Sequence, residues 1–261
     1  MRVSVLCPTF GRPERHEQLL RVFLTQDYPD ADLWVLDDSP DRSPAFAKAR
    51  DRVHYLHSAG RMPVGAKRNW LLACSRGDII AHFDDDDWYA PEYLSTMVGE
   101  LVREKLDFLK LSVWNALSEL DGSFWQCDTR LIQPNHFILS SDKPATERSL
   151  TDEQMASLPH EDHDGNLWGY GFSYVYRRWV GERWPFLPVD FGEDYEFVKR
   201  IRLGANIGHL PGNADKVVHV MHPKNTAPRI FPQMRLDANL VPADLRPPHG
   251  ENDAEQHART G

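Results

Sequence analysis

Short apolar runs alternate with amphipathic helical patterns over the first 105 residues, and this alternation restricts the fold more than any other feature of the sequence. The apolar runs occupy residues 3–7, 33–36, 53–56 and 79–83. The helical patterns occupy residues 12–25, 66–75 and 91–105. Strands that alternate with helices predict βαβ units. We therefore predict an α/β fold with a Rossmann-like, mostly parallel central sheet flanked by helices.

The second half of the chain is less regular and predicts a smaller antiparallel sheet. Residues 108–116 and 123–130 have strand character, with a turn at Asp121 and Gly122 between them. Further strands are predicted at residues 172–176 and 217–220, and a helix at residues 193–203. Residues 151–164 hold five acids and no Lys or Arg, which predicts a solvated, mobile loop. Residues 243–261 are polar and aperiodic, which predicts a flexible tail.

Composition excludes several classes of protein. The chain has 39 Asp and Glu against 30 Lys and Arg, a net charge of −9, so it lacks the basic surface of a general nucleic-acid binder. Cys7, Cys74 and Cys127 form no C-x-x-C pair, which argues against a zinc knuckle and fits a reducing compartment. Neither a signal-peptide core nor an apolar run of about 20 residues is present. A cytoplasmic location is expected, and peripheral membrane contact stays open.

Four consecutive aspartates at residues 84–87 directly follow the apolar run at residues 79–83. Adjacent carboxylates repel one another, so such a cluster requires solvation or a bound cation. Carboxylate oxygens favour hard cations such as Mg²⁺ or Mn²⁺. Ligands of open α/β sheets bind beyond the carboxyl ends of the strands, where this cluster is predicted to lie. The pattern favours a cation site over a charged surface turn.

Other charged groups occur at predicted strand and helix ends. Asp37 and Asp38 follow the second predicted strand and suit either hydrogen bonds to a nucleobase or ribose, or an Asx turn. Lys67 and Arg68 lie at a helix start, where they either meet a phosphate or are solvated.

Candidate acid–base and metal-side residues lie in the second half. Glu193 and Asp194 begin a predicted helix, where they either supply a general base or cap the helix. His219 and His222 either join carboxylates around Mn²⁺ or are ordinary surface or core histidines.

These groups follow one another in the order and spacing of family 2 glycosyltransferases, which have the GT-A fold. The resemblance extends over about residues 1–226. The segments that carry it are residues 3–12, 35–39, 61–69, 82–88, 172–178, 192–196 with Arg200, and 222–226. It implies one GT-A domain over residues 1–242, with a nucleotide-sugar-binding half (1–105) and an acceptor-binding half that holds the smaller sheet (106–242).

The resemblance implies a metal-dependent, inverting enzyme of the hexosyltransferase type. Such an enzyme moves a sugar from a nucleoside diphosphate sugar, here expected to be UDP-linked, to an acceptor hydroxyl. The expected acceptor is a glycan, a lipid-linked saccharide or a small molecule, and not a nucleic acid. Mn²⁺ or Mg²⁺ is the implied cofactor, bound at the DxD motif of the family.

The resemblance also implies roles for individual residues. Asp194 is expected to be the general base, with Glu193 as an orienting neighbour. The expected nucleotide-sugar-binding residues are Pro8, Thr9, Phe10, Arg12, Asp37, Asp38, Lys67, Arg68, Asn69, Asp84 and Asp85. The expected metal ligands are Asp84, Asp86, Asp87 and His222, with His219 as the alternative histidine. The expected acceptor residues are Trp168, Tyr170 and Gly171.

Two other functions stay open from the residues. A nucleotidyltransferase-like enzyme also places acids at strand ends for Mg²⁺, although residues 10–13 make a poor phosphate loop. A catalytically inactive nucleotide-sugar-binding module would not need candidates such as Asp86 and Asp194. Within the acidic segment, residues 160–164 suit a second metal site, a lid over the donor, or a plain loop.

Overall fold

The structure is a computed structural model that describes residues 1–48, 50–130, 133–157, 160–227 and 229–246, with all their side chains except those of residues 160–162. The elements of the first half are β1 Val3–Thr9, α1 His16–Leu24, β2 Ala31–Asp37, β3 Val53–His57, α2 Val64–Cys74, β4 Ile79–His82, β5 Trp88–Tyr89 and α3 Tyr93–Arg103. Next come β6 Phe108–Leu111, β7 Val113–Ser118, β8 Phe124–Asp128, β9 Asn135–Ser140, β10 Thr146–Ser149, α4 Asp152–Ala156 and α5 His160–Trp168. The last are β11 Val175–Arg177, α6 Arg178–Arg183, α7 Glu193–Ile201, β12 Ile207–Leu210, β13 Val217–Met221, β14 Arg229–Ile230 and β15 Met234–Leu236.

A seven-stranded sheet in the order β12-β6-β11-β4-β1-β2-β3 forms the centre of the molecule. β1 pairs in parallel with β2 and β4, β2 with β3, and β6 with β12. Only β11 runs antiparallel to its neighbours β4 and β6 among the described strands of this sheet. The predicted α/β architecture with a mostly parallel sheet is therefore confirmed. The order places the carboxyl ends of β1, β2 and β4 side by side.

Helices cover both faces of this sheet because successive strand residues point to opposite sides. On one face, Val5 of β1 packs with residues of α1 and α3, such as Phe23 and Met97. On the other face, Leu6 packs with residues of α2, α6 and α7, such as Phe197. The three layers form the core that fixes the strand ends, and hence the site, in place.

Two smaller sheets extend the second half. One has the order β15-β8-β7-β13-β5, in which β7 and β8 form the predicted antiparallel pair and β13 lies parallel to β7. The other is an antiparallel sheet of order β10-β9-β14. The predicted smaller antiparallel sheet is confirmed, divided into two units.

The acidic segment differs from the prediction of a mobile loop, since it forms α4 and α5. The first turn of α4 is stabilised by a reciprocal capping box, in which Thr151 and Gln154 each bond the backbone N–H of the other. α5 is tied to the residue directly after α7 by the ion pair between Asp164 and Arg202 at 2.6 Å. The composition of this segment indicated a solvated loop, but helix capping and a tertiary ion pair stabilise a helical backbone conformation.

Two other boundaries differ from prediction. The strand expected at residues 172–176 begins as a 3₁₀ turn, Gly171–Ser173, before β11 starts at Val175. Of the predicted polar tail, residues 243–245 form a 3₁₀ turn, and residues 247–261 lie outside the described residues. Among the described helices, none has both the length and the apolar character that a membrane crossing demands.

Candidate functional site

A cavity of about 800 Å³ lies beyond the carboxyl ends of β1 and β4. It brings together residues from distant parts of the sequence. The predicted site residues in its lining are Pro8, Arg12, Arg68, Asp84, Asp86, Tyr170, Gly171, Glu193, Asp194 and His219. Acids from two predicted motifs therefore face one space.

The aspartates at residues 84–87 divide into two groups. Asp84, Asp86 and Asp87 each offer a ligand oxygen within 4.8 Å of the others, close enough for the three to share one cation. Asp85 points away, accepts a hydrogen bond from the Thr9 hydroxyl, and lies 2.6 Å from the Arg12 guanidinium. Burial raises the pKa of Asp85 to about 7, although Arg12 opposes this shift. Asp85 and Thr9 are thus placed behind the cavity wall.

Asp86 is the most strongly stabilised carboxylate of the cluster. Its Oδ2 lies 2.9 Å from His222 Nε2 and also contacts the guanidinium of Arg12. Burial alone would raise its pKa, but the bond to His222 and the charge of Arg12 lower the pKa to about 2. Asp86 is therefore ionised at neutral pH, as a metal ligand must be.

The two candidate histidines engage different aspartates. His219 Nδ1 lies 2.8 Å from Asp87 Oδ1, and the backbone N–H of Val220 donates to the same oxygen at 3.0 Å. Burial would lower the pKa of His219, but the charge and hydrogen bond of Asp87 raise it to about 9. The contact with Asp87 thus favours the charged form of His219, while His222 faces Asp86.

Lys67 and Arg68 point in different directions although they are adjacent. The Lys67 amine is buried and donates to Asp38 Oδ1 at 2.7 Å and to the carbonyl of Thr9 at 2.9 Å. The Arg68 guanidinium lies 3.4 Å from Glu193 and 3.8 Å from Asp84. Lys67 thus braces the loop after β1, and Arg68 links the aspartate cluster to the start of α7.

Asp37 and Asp38 are held by local contacts at the end of β2. Asp37 accepts bonds from the backbone N–H and hydroxyl of Ser39 and from the hydroxyl of Tyr55. Asp38 accepts bonds from Arg61 and from the backbone N–H of Met62, besides Lys67. The Asx turn is therefore present at Asp37 and Ser39, while hydrogen bonding of the two carboxylates to a nucleobase or ribose stays a prediction.

Phe10 and Asn69 occupy contrasting positions. Phe10 is 42% exposed beside the cavity, with the Arg61 guanidinium 4.1 Å from its ring centroid. Asn69 exchanges two hydrogen bonds with the backbone of Phe186, each at 2.8 Å. Phe10 offers a surface for a ring, whereas Asn69 fixes the segment that leads to α7.

Glu193 and Asp194 form the first turn of α7, where Gly192 has a φ of 77° that favours glycine. Asp194 Oδ2 accepts the backbone N–H of Gly171 at 3.0 Å, and Oδ1 accepts that of Tyr195 at 2.7 Å. Burial raises the pKa of Glu193 to about 7, against the opposing charge of Arg68. The helix start therefore presents one carboxylate braced by two backbone donors beside a second, Glu193, whose pKa is raised.

The three expected acceptor residues are separated by the fold. Tyr170 and Gly171 line the cavity. Trp168 is buried outside its lining, 5.9 Å from the ring of His209 and 4.9 Å from the guanidinium of Arg202. Packing thus accounts for Trp168.

Sequence reasoning missed two buried groups that contact this site. His82 Nδ1 lies 3.2 Å from the carbonyl of Gly171, and burial beside Arg68 lowers its pKa well below the usual value. The Lys110 amine donates to the carbonyls of Leu167 and Gly169. The available signal was a charged residue within the apolar run around Lys110.

Comparison with known proteins identifies the family. The sequence model of glycosyl transferase family 2 matches residues 4–146. The chain therefore belongs to glycosyl transferase family 2.

Curated relatives are longer than this chain. EpsJ of Bacillus subtilis, described as an uncharacterized glycosyltransferase, is 25% identical over 202 residues, which are 76% of this chain and 53% of EpsJ. EpsH of the same organism is 31% identical over 181 residues, 67% of this chain and 47% of EpsH. The chain spans about half the length of these curated relatives.

Solved structures share the GT-A fold with this chain. S. aureus TarS in complex with UDP-GlcNAc superposes with a TM-score of 0.61 at 18% identity, covering 86% of this chain and 60% of that one. The mannosyltransferase PcManGT of Pyrobaculum calidifontis, in complex with GDP-Man and Mn²⁺, gives a TM-score of 0.57 at 18% identity, covering 86% and 58%. These comparisons establish the fold.

Proposed function

We propose that this protein is a metal-dependent glycosyltransferase that moves a sugar from a nucleoside diphosphate sugar to an acceptor hydroxyl with inversion. One observation carries the proposal: Asp84 and Asp86 of the aspartate cluster line the same cavity as the braced carboxylate of Asp194. Family membership supports the reaction class. The aspartate cluster would hold a cation that neutralises the leaving group, and Asp194 would serve as the base for the acceptor.

The residues fit a hard divalent cation. Three carboxylates offer oxygens within 4.8 Å of one another, and His222 lies beside one of them, Asp86. Asp84, Asp86, Asp87 and His222 would hold Mn²⁺ or Mg²⁺, the ions that such oxygen-rich sites prefer. The ion, when bound, neutralises the charge that develops on the departing diphosphate.

The donor nucleotide is assigned to the edge formed by β1, β2 and α2. Phe10 and Arg61 offer ring-stacking and cationic surface. Asp37 and Asp38, whose carboxylates are bonded within the protein, hold the strand end beside which the base or ribose would bind. Pro8, Arg12, Arg68 and Asp84 border the diphosphate and sugar. Thr9, Lys67, Asn69 and Asp85 act by holding that edge, since their polar groups are taken up within the protein. We assign UDP as the leaving group.

Asp194 is assigned as the general base. The acceptor oxygen attacks the anomeric carbon while the bond to the diphosphate oxygen breaks, and the acceptor proton passes to Asp194. The bond electrons leave with the diphosphate, so a single displacement inverts the anomeric centre. Glu193 orients this arrangement through its contact with Arg68.

The acceptor is assigned to the half of the cavity formed by residues 106–242, and the donor to residues 1–105. Tyr170 and Gly171 lie on the acceptor side. A relative from Campylobacter jejuni, named as a GalNAc(5)-diNAcBac-PP-undecaprenol beta-1,3-glucosyltransferase, is 30% identical over 129 residues, 47% of this chain and 40% of that protein. We propose a glycan, lipid-linked or small-molecule acceptor, and the net charge of −9 disfavours nucleic acid.

A donor screen tests the proposal. UDP- and GDP-linked sugars are tested for thermal stabilisation of the protein with Mn²⁺ and with EDTA, and stabilised complexes are then assayed for release of the nucleoside diphosphate. Metal-dependent binding with slow diphosphate release supports a transferase. Turnover of nucleoside triphosphates instead would establish a nucleotidyltransferase, and binding without release, even with a panel of acceptors, would establish an inactive binding module.

A further inference from the structure

Lys110 is the least expected charged residue of the fold. It lies in β6 with 0% of its surface exposed. Its amine donates to the carbonyl of Leu167 at 2.6 Å and to that of Gly169 at 2.7 Å, and lies 5.5 Å from the ring centroid of Tyr170. Among the described side chains, no carboxylate lies within 4.0 Å of the amine. Burial of a lysine without an ion pair lowers the stability of the fold, so the contacts of Lys110 require an explanation.

The two carbonyls belong to the end of α5, where helix carbonyls lack intrahelical partners. The hydroxyl of Tyr174 donates to the carbonyl between them, that of Trp168. Three consecutive carbonyls are thus satisfied by two buried side chains. The two hydrogen bonds of Lys110 need only two N–H groups, which the amine has in both protonation states. Burial lowers the pKa of Lys110 to about 7. Loss of a proton from the amine would therefore leave both hydrogen bonds intact.

The backbone that follows is strained and tightly packed. Tyr170 has a φ of 65°, in the left-handed region that non-glycine residues rarely adopt. A Cβ on Gly171 would lie 3.1 Å from the Cβ of Asp194 and 3.3 Å from the Arg68 guanidinium. A strained turn persists only where surrounding contacts stabilise it. Lys110 supplies two of the hydrogen bonds that stabilise this turn.

This turn delivers a hydrogen-bond donor to the assigned base. Immediately after Tyr170, the backbone N–H of Gly171 donates to Asp194 Oδ2 at 3.0 Å, and the carbonyl of Gly171 faces His82. We infer that Lys110 is a positioning residue, which holds the Leu167-to-Gly171 turn so that the N–H of Gly171 orients the carboxylate of Asp194. The effect of Lys110 on catalysis rests on the proposed function, whereas its effect on the conformation of the turn does not.

Replacement of Lys110 by Met keeps a similar volume and leaves two buried carbonyls without donors. The turn then relaxes, and the Asp194 carboxylate loses one of its two backbone donors. A small displacement of a reacting group lowers the catalytic rate by about 10–100-fold. Donor affinity, set by the opposite edge of the cavity, changes less than about threefold.

The test compares the full-length variants K110M, K110R and M97A. M97A removes buried volume in α3, in the core of the other sheet face, and controls for general destabilisation. Hydrogen–deuterium exchange of residues 168–175 reports on the turn without any substrate. The donor found in the screen gives its dissociation constant by titration and the turnover by diphosphate release.

We expect K110M to exchange faster than wild type over residues 168–175, and to lose turnover about 10–100-fold with donor affinity retained. The guanidinium of K110R can donate to both carbonyls, so we expect this variant to restore part of the exchange protection and part of the turnover. Exchange in K110M no faster than in M97A, or in K110R as fast as in K110M, would overturn the inference. If D194N leaves turnover unchanged, the base assignment fails, while the exchange measurement still decides whether Lys110 holds the turn.

Discussion

Nε2 of His222 lies 2.9 Å from Oδ2 of Asp86, although 136 residues separate them in sequence. The contact joins the loop after β4 to the chain directly after β13, and thus the first half of the chain to the second half. Arg12 contacts the same carboxylate from the loop after β1. Three distant segments therefore converge on one oxygen, although β13 lies in a different sheet from β1 and β4.

Asp86→Ala should remove metal-dependent donor binding. The change deletes the ionised carboxylate that His222 and Arg12 stabilise, so we expect at least about a 100-fold loss of Mn²⁺-dependent nucleotide-sugar affinity. Thermal stabilisation by donor, with Mn²⁺ and with EDTA, measures the effect. Asp215→Ala, at an exposed site, is the matched control. Undiminished Mn²⁺-dependent binding in D86A would remove Asp86 from the metal site.

Asp194→Asn should abolish transfer while donor binding survives. The amide keeps the size of the side chain but cannot take a proton, so turnover should fall by about 10²–10⁴-fold. Steady-state diphosphate release and donor titration separate the two effects. Glu193→Gln serves as the comparison, since Glu193 contacts Arg68 and is assigned no proton transfer. Wild-type turnover in D194N would exclude Asp194 as the base.

Lys67→Met should destabilise the fold by about 3 kcal/mol, because it leaves the buried carboxylate of Asp38 without its closest cation. Arg61 and the N–H of Met62 still bond Asp38, which keeps the loss at the lower end of the usual range. Urea unfolding measures the change. Lys143→Met, on the exposed surface, should stay within about 0.5 kcal/mol of wild type. A solvated Lys67, free to meet phosphate, would instead give equal stabilities for the two variants.

Stability should depend on pH through Lys110. Its folded pKa of about 7 lies below the ordinary 10.5, so the unfolded chain binds more protons between these values. The free energy of unfolding therefore rises with pH across this window, with a slope of at most about 1.4 kcal/mol per pH unit. The charged or titratable groups near the amine are Asp194, Tyr170 and His209, and the pKa of His209 is lowered, so it titrates below the window.

Urea unfolding of wild type and K110M between pH 6 and pH 9.5 measures this contribution. The stability advantage of wild type should grow from pH 7 upward, because K110M lacks the titrating amine. Parallel curves for the two proteins would show that Lys110 titrates in the folded state at its ordinary pKa. A second substitution at an exposed lysine, Lys143→Met, should give a curve parallel to that of wild type.

Much of the part of the cavity beside β1 and β4 could be predicted from sequence because its signals are local. The apolar runs at residues 3–7 and 79–83 predicted β1 and β4, and a parallel sheet requires their carboxyl ends to share an edge. The aspartates that follow β4 were therefore predictable as a cluster. The prediction failed for residues 151–164, where charge composition indicated a loop and a capping box produced a helix.

The sequence by itself determined the alternation of strands and helices, the placement of the acids at strand ends, and the membership of the family. Only the tertiary structure decided which acids face the cavity, because four adjacent aspartates look alike in the sequence although their side chains point in different directions. Asp86 contacts His222, whereas Asp85 contacts Thr9 and Arg12. It also decided that Lys67 braces a loop and that Lys110 holds a turn. The reason is physical: a buried charge takes its role from partners far away in sequence, and the packing of the core selects those partners.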